Sequence, residues 1–215
     1  MIHQLQSSQS QWSATWRYAV NSFQLVLEYP KSNLSDGQQQ VLQNFAKMLE
    51  LQSMTDVEFV VHGEKIAAHV AVLSSSSPVF LAMFEGQFQE KETKVVDIKD
   101  FDVDVIKEML TFIYTGSAPN LDKETLTEPL FQAADKYQID TLRRECELSL
   151  CANLNTFNII RRLVLSHLHS VDKLFDSCLQ YFVANKTVMW NRPEWKELMK
   201  THPDLFFAAS HSMFG

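Results

Sequence analysis

Asp56 and His69 form the candidate acid–base pair of this sequence. A carboxylate beside an imidazole is an arrangement that serves general acid–base catalysis. Such a pair becomes an active site only when a nucleophile or an oxyanion-binding group accompanies it, and the sequence contains no recognisable constellation of that kind. We therefore expect both side chains to be structural and the protein not to be an enzyme.

Histidine and cysteine, the usual soft metal ligands, are not arranged as a metal site. His167 and His169 fall on a predicted helix at a spacing that points their side chains in different directions. The three cysteines, Cys146, Cys151 and Cys178, contain no C-x-x-C pair. We expect no metal and no cofactor, and we expect reduced thiols, as in nuclear and cytoplasmic proteins.

The segment Phe88-Gln89-Glu90 combines a large apolar residue, a spacer and a glutamate. Phe88 interrupts an otherwise polar stretch that joins a short predicted helix to a predicted strand. Its ring either packs back onto its own domain or is offered to a partner. Spacing alone favours packing within the domain, because three-residue patterns are weak evidence for binding.

The composition limits the classes of partner. The chain has 215 residues, a formal net charge of -7 and no cluster of Lys and Arg, which argues against nucleic acid as a partner. No apolar run approaches the length of a membrane span. The first residues lack the basic and apolar regions of a signal peptide. A chain of this length can bury a core in one large domain or two small ones.

The N-terminal segment 1–37 is rich in Gln and Ser and is predicted to be a tail or a short docked segment. The next stretch, Gln38 to Leu51, predicts a helix, since Val41, Phe45 and Met48 recur at helical spacing. The apolar face is wide for a helix at the end of a domain. It should therefore be buried against its own domain or against a second chain.

Short strands and helices alternate in the middle of the chain. The predicted strands are Val57 to Val61, Ile66 to Ala68 and Thr93 to Ile98. A capping-box pattern, Thr125-Leu126-Thr127-Glu128, predicts the start of a helix that runs to Tyr137. From about Cys151 onwards the pattern is purely helical. This order predicts an α+β unit, with a small sheet flanked by helices, followed by an all-helical extension.

A set of short motifs resembles a BTB/POZ domain. The motifs are Thr55-Asp56-Val57, Ala68-His69, Val72-Leu73, Ser77-Pro78-Val79-Phe80, Met83-Phe84 and Phe112-Ile113-Tyr114-Thr115-Gly116. Further motifs resemble the speckle-type POZ protein group within this family. They are Ala118-Pro119-Asn120-Leu121-Asp122-Lys123, Ala133-Ala134-Asp135-Lys136-Tyr137, Leu168-His169-Ser170 and the segment from Trp195 to Pro203. The match runs from about Gln38 to about Ala209.

The resemblance implies a BTB/POZ fold over residues 38–151, with an N-terminal dimerisation helix, and a partial BACK-like helical extension over 152–215. Proteins of this group are dimeric adaptors that bind a cullin-3 scaffold and help to recruit substrates for ubiquitination. An N-terminal MATH domain normally binds the substrate. A β-sandwich of that kind needs about 100 residues, so we expect segment 1–37 to be too short for one, and the protein substrate is unknown.

The resemblance also implies roles for individual residues. Phe88 and Glu90 stand where cullin-binding members carry an apolar-x-Glu motif, which favours contact with a partner over packing within the domain. The positions where members place dimer-interface residues are occupied by Val41, Phe45, Met48 and Val72. Asp56 and His69 are implied to be buried, hydrogen-bonded structural residues near that interface.

Two other functions stay open from the sequence. One is a scaffold without a MATH domain that dimerises with full-length relatives and competes with them. The other is a BTB transcription regulator, which is weakened by the absence of zinc fingers and of a basic segment. The expected partners are a cullin-3 scaffold, a second copy of the chain, full-length relatives and an unknown protein substrate, with no nucleic acid and no membrane. The expected location is the nucleus, the cytoplasm or both.

Overall fold

Strands and helices alternate over the first part of the chain, and helices alone follow. The computed structural model describes residues 34–214. The first part contains α1 Asp36–Leu51, β1 Val57–Val61, β2 Glu64–Ala68, α2 Val70–Ser76, α3 Pro78–Glu85, α4 Gln89–Thr93, β3 Val95–Ile98, α5 Val103–Thr115, α6 Glu124–Lys136 and α7 Asp140–Ala152. The second part contains α8 Ile159–Leu168, α9 Asp172–Ala184, α10 Lys186–Trp190, α11 Pro193–Thr201 and α12 Pro203–Phe214. The predicted α+β class, with a small sheet and an all-helical extension, is confirmed.

The sheet has three strands in the order β2-β1-β3. β1 pairs antiparallel with β2, with Phe59 opposite Ile66, and it pairs parallel with β3. His62 and Gly63 form the tight turn between β1 and β2, and both have positive φ angles, 49° and 87°. Two positive φ angles suit the twist of a hairpin, and glycine adopts such angles readily. β2 therefore starts at Glu64, earlier than the predicted Ile66.

The hydrophobic core forms around β1, the central strand. Val57, Phe59 and Val61 are buried, and Phe59 meets Phe80 of α3 edge to face, with ring centroids 5.7 Å apart. Phe80 in turn stacks on Tyr137, just beyond the end of α6, at 4.6 Å. Burying a large apolar side chain stabilises a fold by about 1.5–3 kcal/mol. These contacts fix α3 and the end of α6 to the sheet.

Helix α1 starts with a capping box. The Ser35 hydroxyl accepts the Gln38 backbone N–H, and the Gln38 side-chain oxygen accepts the Ser35 backbone N–H at 2.9 Å. The helix therefore starts at Asp36, slightly before the predicted Gln38. No side chain of α1 is buried, although Leu49 packs against the core. Of the predicted N-terminal segment, residues 1–33 lie outside the described residues.

Helix α6 does not start with the predicted capping box. It starts at Glu124, so Thr125 and Glu128 both lie inside the helix. Lys123 occupies the cap position without a side-chain hydrogen bond to the helix. Glu128 is buried and accepts a hydrogen bond from Arg161 of α8 at 2.9 Å. A contact with a distant helix therefore outweighs the local pattern.

Arg162 joins the extension to the rest of the fold. Its guanidinium is buried and donates from Nη1 to the backbone carbonyls of Leu150 and Asn153, at the end of α7, at 2.8 and 2.5 Å. Its Nε lies 3.5 Å from the Glu128 carboxylate. Burial lowers the pKa of Arg162, and the nearby Glu128 opposes this effect. A guanidinium keeps its charge even so, and this buried charge links α8 to α6 and α7.

The extension has an aromatic centre of its own. Trp195 of α11 is buried between Phe182 of α9 and Phe206 of α12, with ring centroids 5.0 and 4.8 Å away. The sequence pattern does not predict the short helix α10, because 5 residues show too little periodicity. Over residues 34–214, no helix is both long and apolar enough to cross a membrane.

Replacing Arg162 with alanine should destabilise the protein strongly. The carbonyls of Leu150 and Asn153 would both lose the Arg162 donor, although Asn153 would keep the N–H of the Asn158 side chain. Glu128 would lose one of its two arginine neighbours. Removing one member of a buried ion pair typically costs about 3–5 kcal/mol. We expect the free energy of unfolding to fall by this order, as measured by urea denaturation followed by circular dichroism.

Arg161→Ala is the matched control for this substitution. The Arg161 side chain is 60% exposed, so its removal should change the free energy of unfolding by about 1 kcal/mol or less. Equal losses for the two arginines would show that burial of Arg162 does not link the extension to α7.

Candidate protein-interaction site

Phe88 lies at the surface between α3 and α4. Its side chain is 57% exposed, and its backbone is extended at the position just before α4. The sequence predicts a polar loop after it, whereas the structure forms the short helix α4, and the Lys91 N–H donates to the Phe88 carbonyl at 3.2 Å. Phe88 does not belong to the hydrophobic core.

The neighbouring elements hold this segment at both ends. Phe84 of α3 is buried on one side, and Ile98 of β3 is buried on the other. The Gly86 N–H closes α3 by donating to the Ala82 carbonyl at 2.8 Å. Phe88 is consequently presented to solvent by a short segment whose two flanking elements are fixed in the core.

A surface hollow of about 500 Å³ lies beside the Phe88 ring. Besides Phe88, it is lined by Pro78, Val79, Ala82, Met83, Glu90 and Gln138. Four of these residues belong to α3, and all four are apolar. We refer to Phe88, Glu90 and this hollow together as the Phe88 surface.

Glu90 supplies the negative charge of the Phe88 surface. The residue is half-buried in the first turn of α4. Its carboxylate forms neither a hydrogen bond nor an ion pair with any residue in the described range 34–214. An exposed ring, an apolar hollow and a carboxylate at its rim can together bind a protein surface.

Helix α1 carries a second candidate surface, which we call the α1 face and define by Val41, Phe45 and Met48. Val41 is 51% exposed and Phe45 37%, while Met48 on the same stripe is partly covered. Val72 of α2, the fourth predicted dimer residue, is partly buried. Leu51 is exposed at the end of the helix, three residues after Met48, and adds apolar surface to the same side. In a single copy, α1 therefore leaves large apolar side chains in contact with water.

His69 and Asp56 bind different partners and do not pair with each other. The His69 ring is buried, with Nδ1 2.7 Å from the Tyr114 hydroxyl and Nε2 2.8 Å from the Ser53 carbonyl oxygen. The Asp56 carboxylate instead accepts the Val70 N–H at 2.7 Å, which satisfies a donor in the first turn of α2. The expectation that both residues are buried is wrong for Asp56, which is exposed in the single copy because it caps a helix at the surface.

The hydrogen bonds of Tyr114 fix the proton positions in this network. A carbonyl oxygen only accepts, so Nε2 of His69 carries a proton and donates to Ser53. In the neutral imidazole Nδ1 is then the acceptor, so the Tyr114 hydroxyl, which accepts the His69 backbone N–H at 2.9 Å, donates its own proton to Nδ1. Burial raises the pKa of Tyr114 to about 12, so the hydroxyl keeps that proton at neutral pH. The network joins α5 to the turn that follows α1.

The other histidines and cysteines within residues 34–214 form no recognisable chemical site. Nδ1 of His169 lies 2.8 Å from the Asp135 carboxylate, and His167 is exposed. Cys146 and Cys178 are buried, and burial raises the pKa of both thiols, which disfavours the reactive thiolate. Among residues 34–214, no group of three or more His, Cys, Asp and Glu side chains is placed to hold a metal ion.

Comparison with known proteins adds to this geometry. The model of the BTB/POZ domain matches residues 45–154. Mouse (Mus musculus) TD and POZ domain-containing protein 2 is 34% identical over 192 residues, which cover 87% of this chain and 53% of that protein. TD and POZ domain-containing protein 5 from the same organism is 36% identical over 172 residues, which cover 80% of this chain and 51% of that protein. The chain thus spans about half the length of the curated relatives it matches.

Among solved structures, the BTB domain of zebrafish PATZ1 is similar to part of this chain. The two have a TM-score of 0.44 at 21% sequence identity, over 53% of this chain and 92% of that domain.

Replacing Tyr114 with phenylalanine should destabilise the protein and change its response to alkaline pH. The buried N–H and Nδ1 of His69 would lose their shared partner, which costs about 1–3 kcal/mol at neutral pH. The folded-state pKa of Tyr114, about 12, lies above its ordinary value of 10.0. Its contribution is therefore complete below pH 10 and is lost as the pH rises from about 10 to about 12. Urea denaturation across this range measures both effects.

Comparing Tyr114→Phe with the unaltered protein isolates the ionisation of Tyr114, because the other buried tyrosine hydroxyl and the buried thiols ionise in both proteins. The difference in the free energy of unfolding between the two proteins should shrink as the pH rises from about 10 to about 12. A difference that stays constant up to about pH 12 would mean that burial does not raise the pKa of the Tyr114 hydroxyl. Tyr181→Phe is the matched control, because the Tyr181 hydroxyl has no hydrogen-bond partner within residues 34–214. This substitution should leave the pH dependence of the unfolding free energy unchanged.

Proposed function

The chain belongs to the BTB/POZ domain family, and on that premise we propose that it is a dimeric, non-catalytic adaptor that binds a cullin-3 scaffold. In this role it helps to recruit a protein substrate for ubiquitination. The observation that carries the proposal is the 57% exposure of Phe88 beside an apolar hollow, next to the polar helix α4. An exposed ring of this kind gains most from a partner that removes it from water.

Phe88 is the anchor of the proposed interface. A ring that fills a pocket on the scaffold loses its remaining contact with water, and truncating such an anchor costs about 2 kcal/mol or more. Glu90 lies at the edge of the same hollow. Its charge therefore stays near solvent and acts mainly on the rate and selectivity of association. The hollow itself, with Val79 and Met83, suits an apolar side chain of the scaffold.

The α1 face is the surface that we assign to dimerisation, together with Val72. Its side chains are incompletely covered in one copy. Burying the area that is still exposed against a second copy would stabilise the dimer by about 25 cal/mol per Å² of apolar surface. A dimer would carry two Phe88 surfaces and hence two sites for the scaffold. Relatives with a similar helix would fit the same face, so heterodimers with full-length relatives belong to the proposal.

The finer family assignment rests on the motifs of the sequence. Leu168-His169-Ser170 and the segment that starts at Trp195 support the speckle-type POZ protein group, although the matched relatives carry the description TD and POZ domain-containing protein. We assign residues 38–151 to the family domain, 152–215 to a partial BACK-like extension and 1–37 to a tail or docked segment. The free thiols of the described residues agree with the proposed location in the nucleus, the cytoplasm or both.

A scaffold that competes with full-length relatives is the second candidate function. The open α1 face favours it, because the same apolar stripe would accept any helix of matching shape. Affinity capture with the intact chain separates the candidates. Recovery of cullin-3 with ubiquitinated proteins supports the adaptor, and recovery of full-length relatives without a substrate supports the competitor. Recovery of corepressors without cullin-3 would support a transcription regulator.

Combining Phe45→Asp with Met48→Asp should convert the dimer into monomers or aggregates. Two carboxylates at an apolar interface would lose their hydration without gaining partners. Light scattering measures the mass, and we expect the unaltered protein to have about twice the chain mass of 24.8 kDa. Gln43→Asp, on the opposite side of α1, is the control and should leave the mass unchanged. An intact dimer in the double variant would place the interface elsewhere.

Phe88→Ala should weaken the binding of purified cullin-3 by about thirtyfold or more, and Glu90→Ala by a smaller factor. Titration calorimetry measures both affinities. Neither substitution should change the melting temperature much, because Phe88 is outside the core. Phe157→Ala is the matched control, since that ring is 84% exposed in another part of the chain. Normal scaffold binding by a Phe88→Ala protein that melts at a lower temperature would refute the proposal.

A further inference from the structure

The Phe88 ring rests against Gly86. A methyl group built on the Gly86 Cα would overlap the carbonyl oxygen of Ala82 and would lie 3.0 Å from Cδ2 of Phe88. The Gly86 φ angle of -73° is accessible to every residue, so the requirement for glycine comes from space and not from the backbone angle. The missing side chain therefore makes room for both the end of α3 and the aromatic ring.

The overlap with Ala82 cannot be relieved by rotating a side chain, because the carbonyl oxygen belongs to the backbone. That carbonyl also accepts the Gly86 N–H at 2.8 Å. Phe84, just upstream, is held in the core. A side chain at position 86 would therefore displace Gln87 and Phe88, which are exposed at the surface and do not belong to the core.

We infer that Gly86 is a positioning residue that sets the direction in which the Phe88 ring faces the scaffold. The inference rests on the proposed function, because it assigns a role within the same binding surface. The ring is both the exposed anchor and a wall of the hollow. A shift of the ring would therefore change the anchor and the hollow at once, while the buried core stays in place.

The test is a double-mutant cycle on the affinity for purified cullin-3, with melting temperatures recorded in parallel. Gly86→Ala should weaken binding by about tenfold, because the anchor is displaced and not removed. The same substitution should add nothing to Phe88→Ala, because the ring that it would displace is absent. Gly37→Ala is the matched control, since nothing lies within 4 Å of a methyl group built there. It should bind as the unaltered protein does.

Each outcome of the cycle decides the question. Normal binding by Gly86→Ala, with Phe88→Ala impaired, overturns the inference and leaves the proposed function intact. Additive losses also overturn it, because Gly86 would then act independently of the ring. Normal binding by Phe88→Ala overturns the proposed function and the inference together. A Gly86→Ala protein that does not fold overturns the inference, because the fold itself would need the glycine.

The position of the Phe88 ring can also be followed in the absence of cullin-3. 4-Fluorophenylalanine placed at Phe88 gives a fluorine NMR signal that depends on the surroundings of the ring. Gly86→Ala should shift this signal, and Gly37→Ala should leave it unchanged. An unshifted signal in Gly86→Ala would overturn the inference, whatever the affinities are.

Discussion

Burial of the sheet under its helices is the constraint on which the rest of the structure depends. Strands of 5, 5 and 4 residues cannot form a stable sheet alone, so apolar helix faces must cover them. Phe80 and Phe84 on the inner face of α3 are buried in this core. Val79 and Met83, on the outer side of the same helix, line the surface hollow. The hollow beside Phe88 is therefore a consequence of how the sheet is covered, and its α3 wall is held by the core behind it.

Buried polar groups connect the segments that apolar packing leaves unattached. His69 holds the turn after α1, Arg162 holds α8 to the end of α7, and Glu108 accepts two hydrogen bonds from Asn120 in the loop before α6. A buried polar group that loses its partner costs more than the bond itself is worth. Each of these groups therefore selects one arrangement of the segment that it binds.

Sequence patterns predict the elements in which close neighbours decide the structure. β1 has its predicted bounds, Val57–Val61, because alternating burial is visible in adjacent residues. The predicted start of α6 is wrong, because Glu128 is drawn to Arg161, 33 residues away. The partner of His69 is likewise hidden, since Tyr114 lies 45 residues further on. The spacing of residues in the sequence does not predict whether Phe88 is exposed. The groups around its ring belong largely to α3, and not to the polar residues next to it in the sequence. The assignments to the cullin scaffold and the dimer come from the family resemblance and stay predictions.

In the proposed dimer, the open stripe on α1 would connect the lifetime of this protein to its abundance. In one copy, none of the 16 residues of the helix is buried, so α1 packs on its own domain only through partly covered side chains such as Leu49. Segments with few buried contacts open at a low cost in free energy, and an opened apolar helix is a substrate for proteases and chaperones. Association with a second copy protects such a helix more completely as the concentration rises. A cell that makes little of this chain would thus degrade a larger fraction of it, which couples gene dosage to turnover.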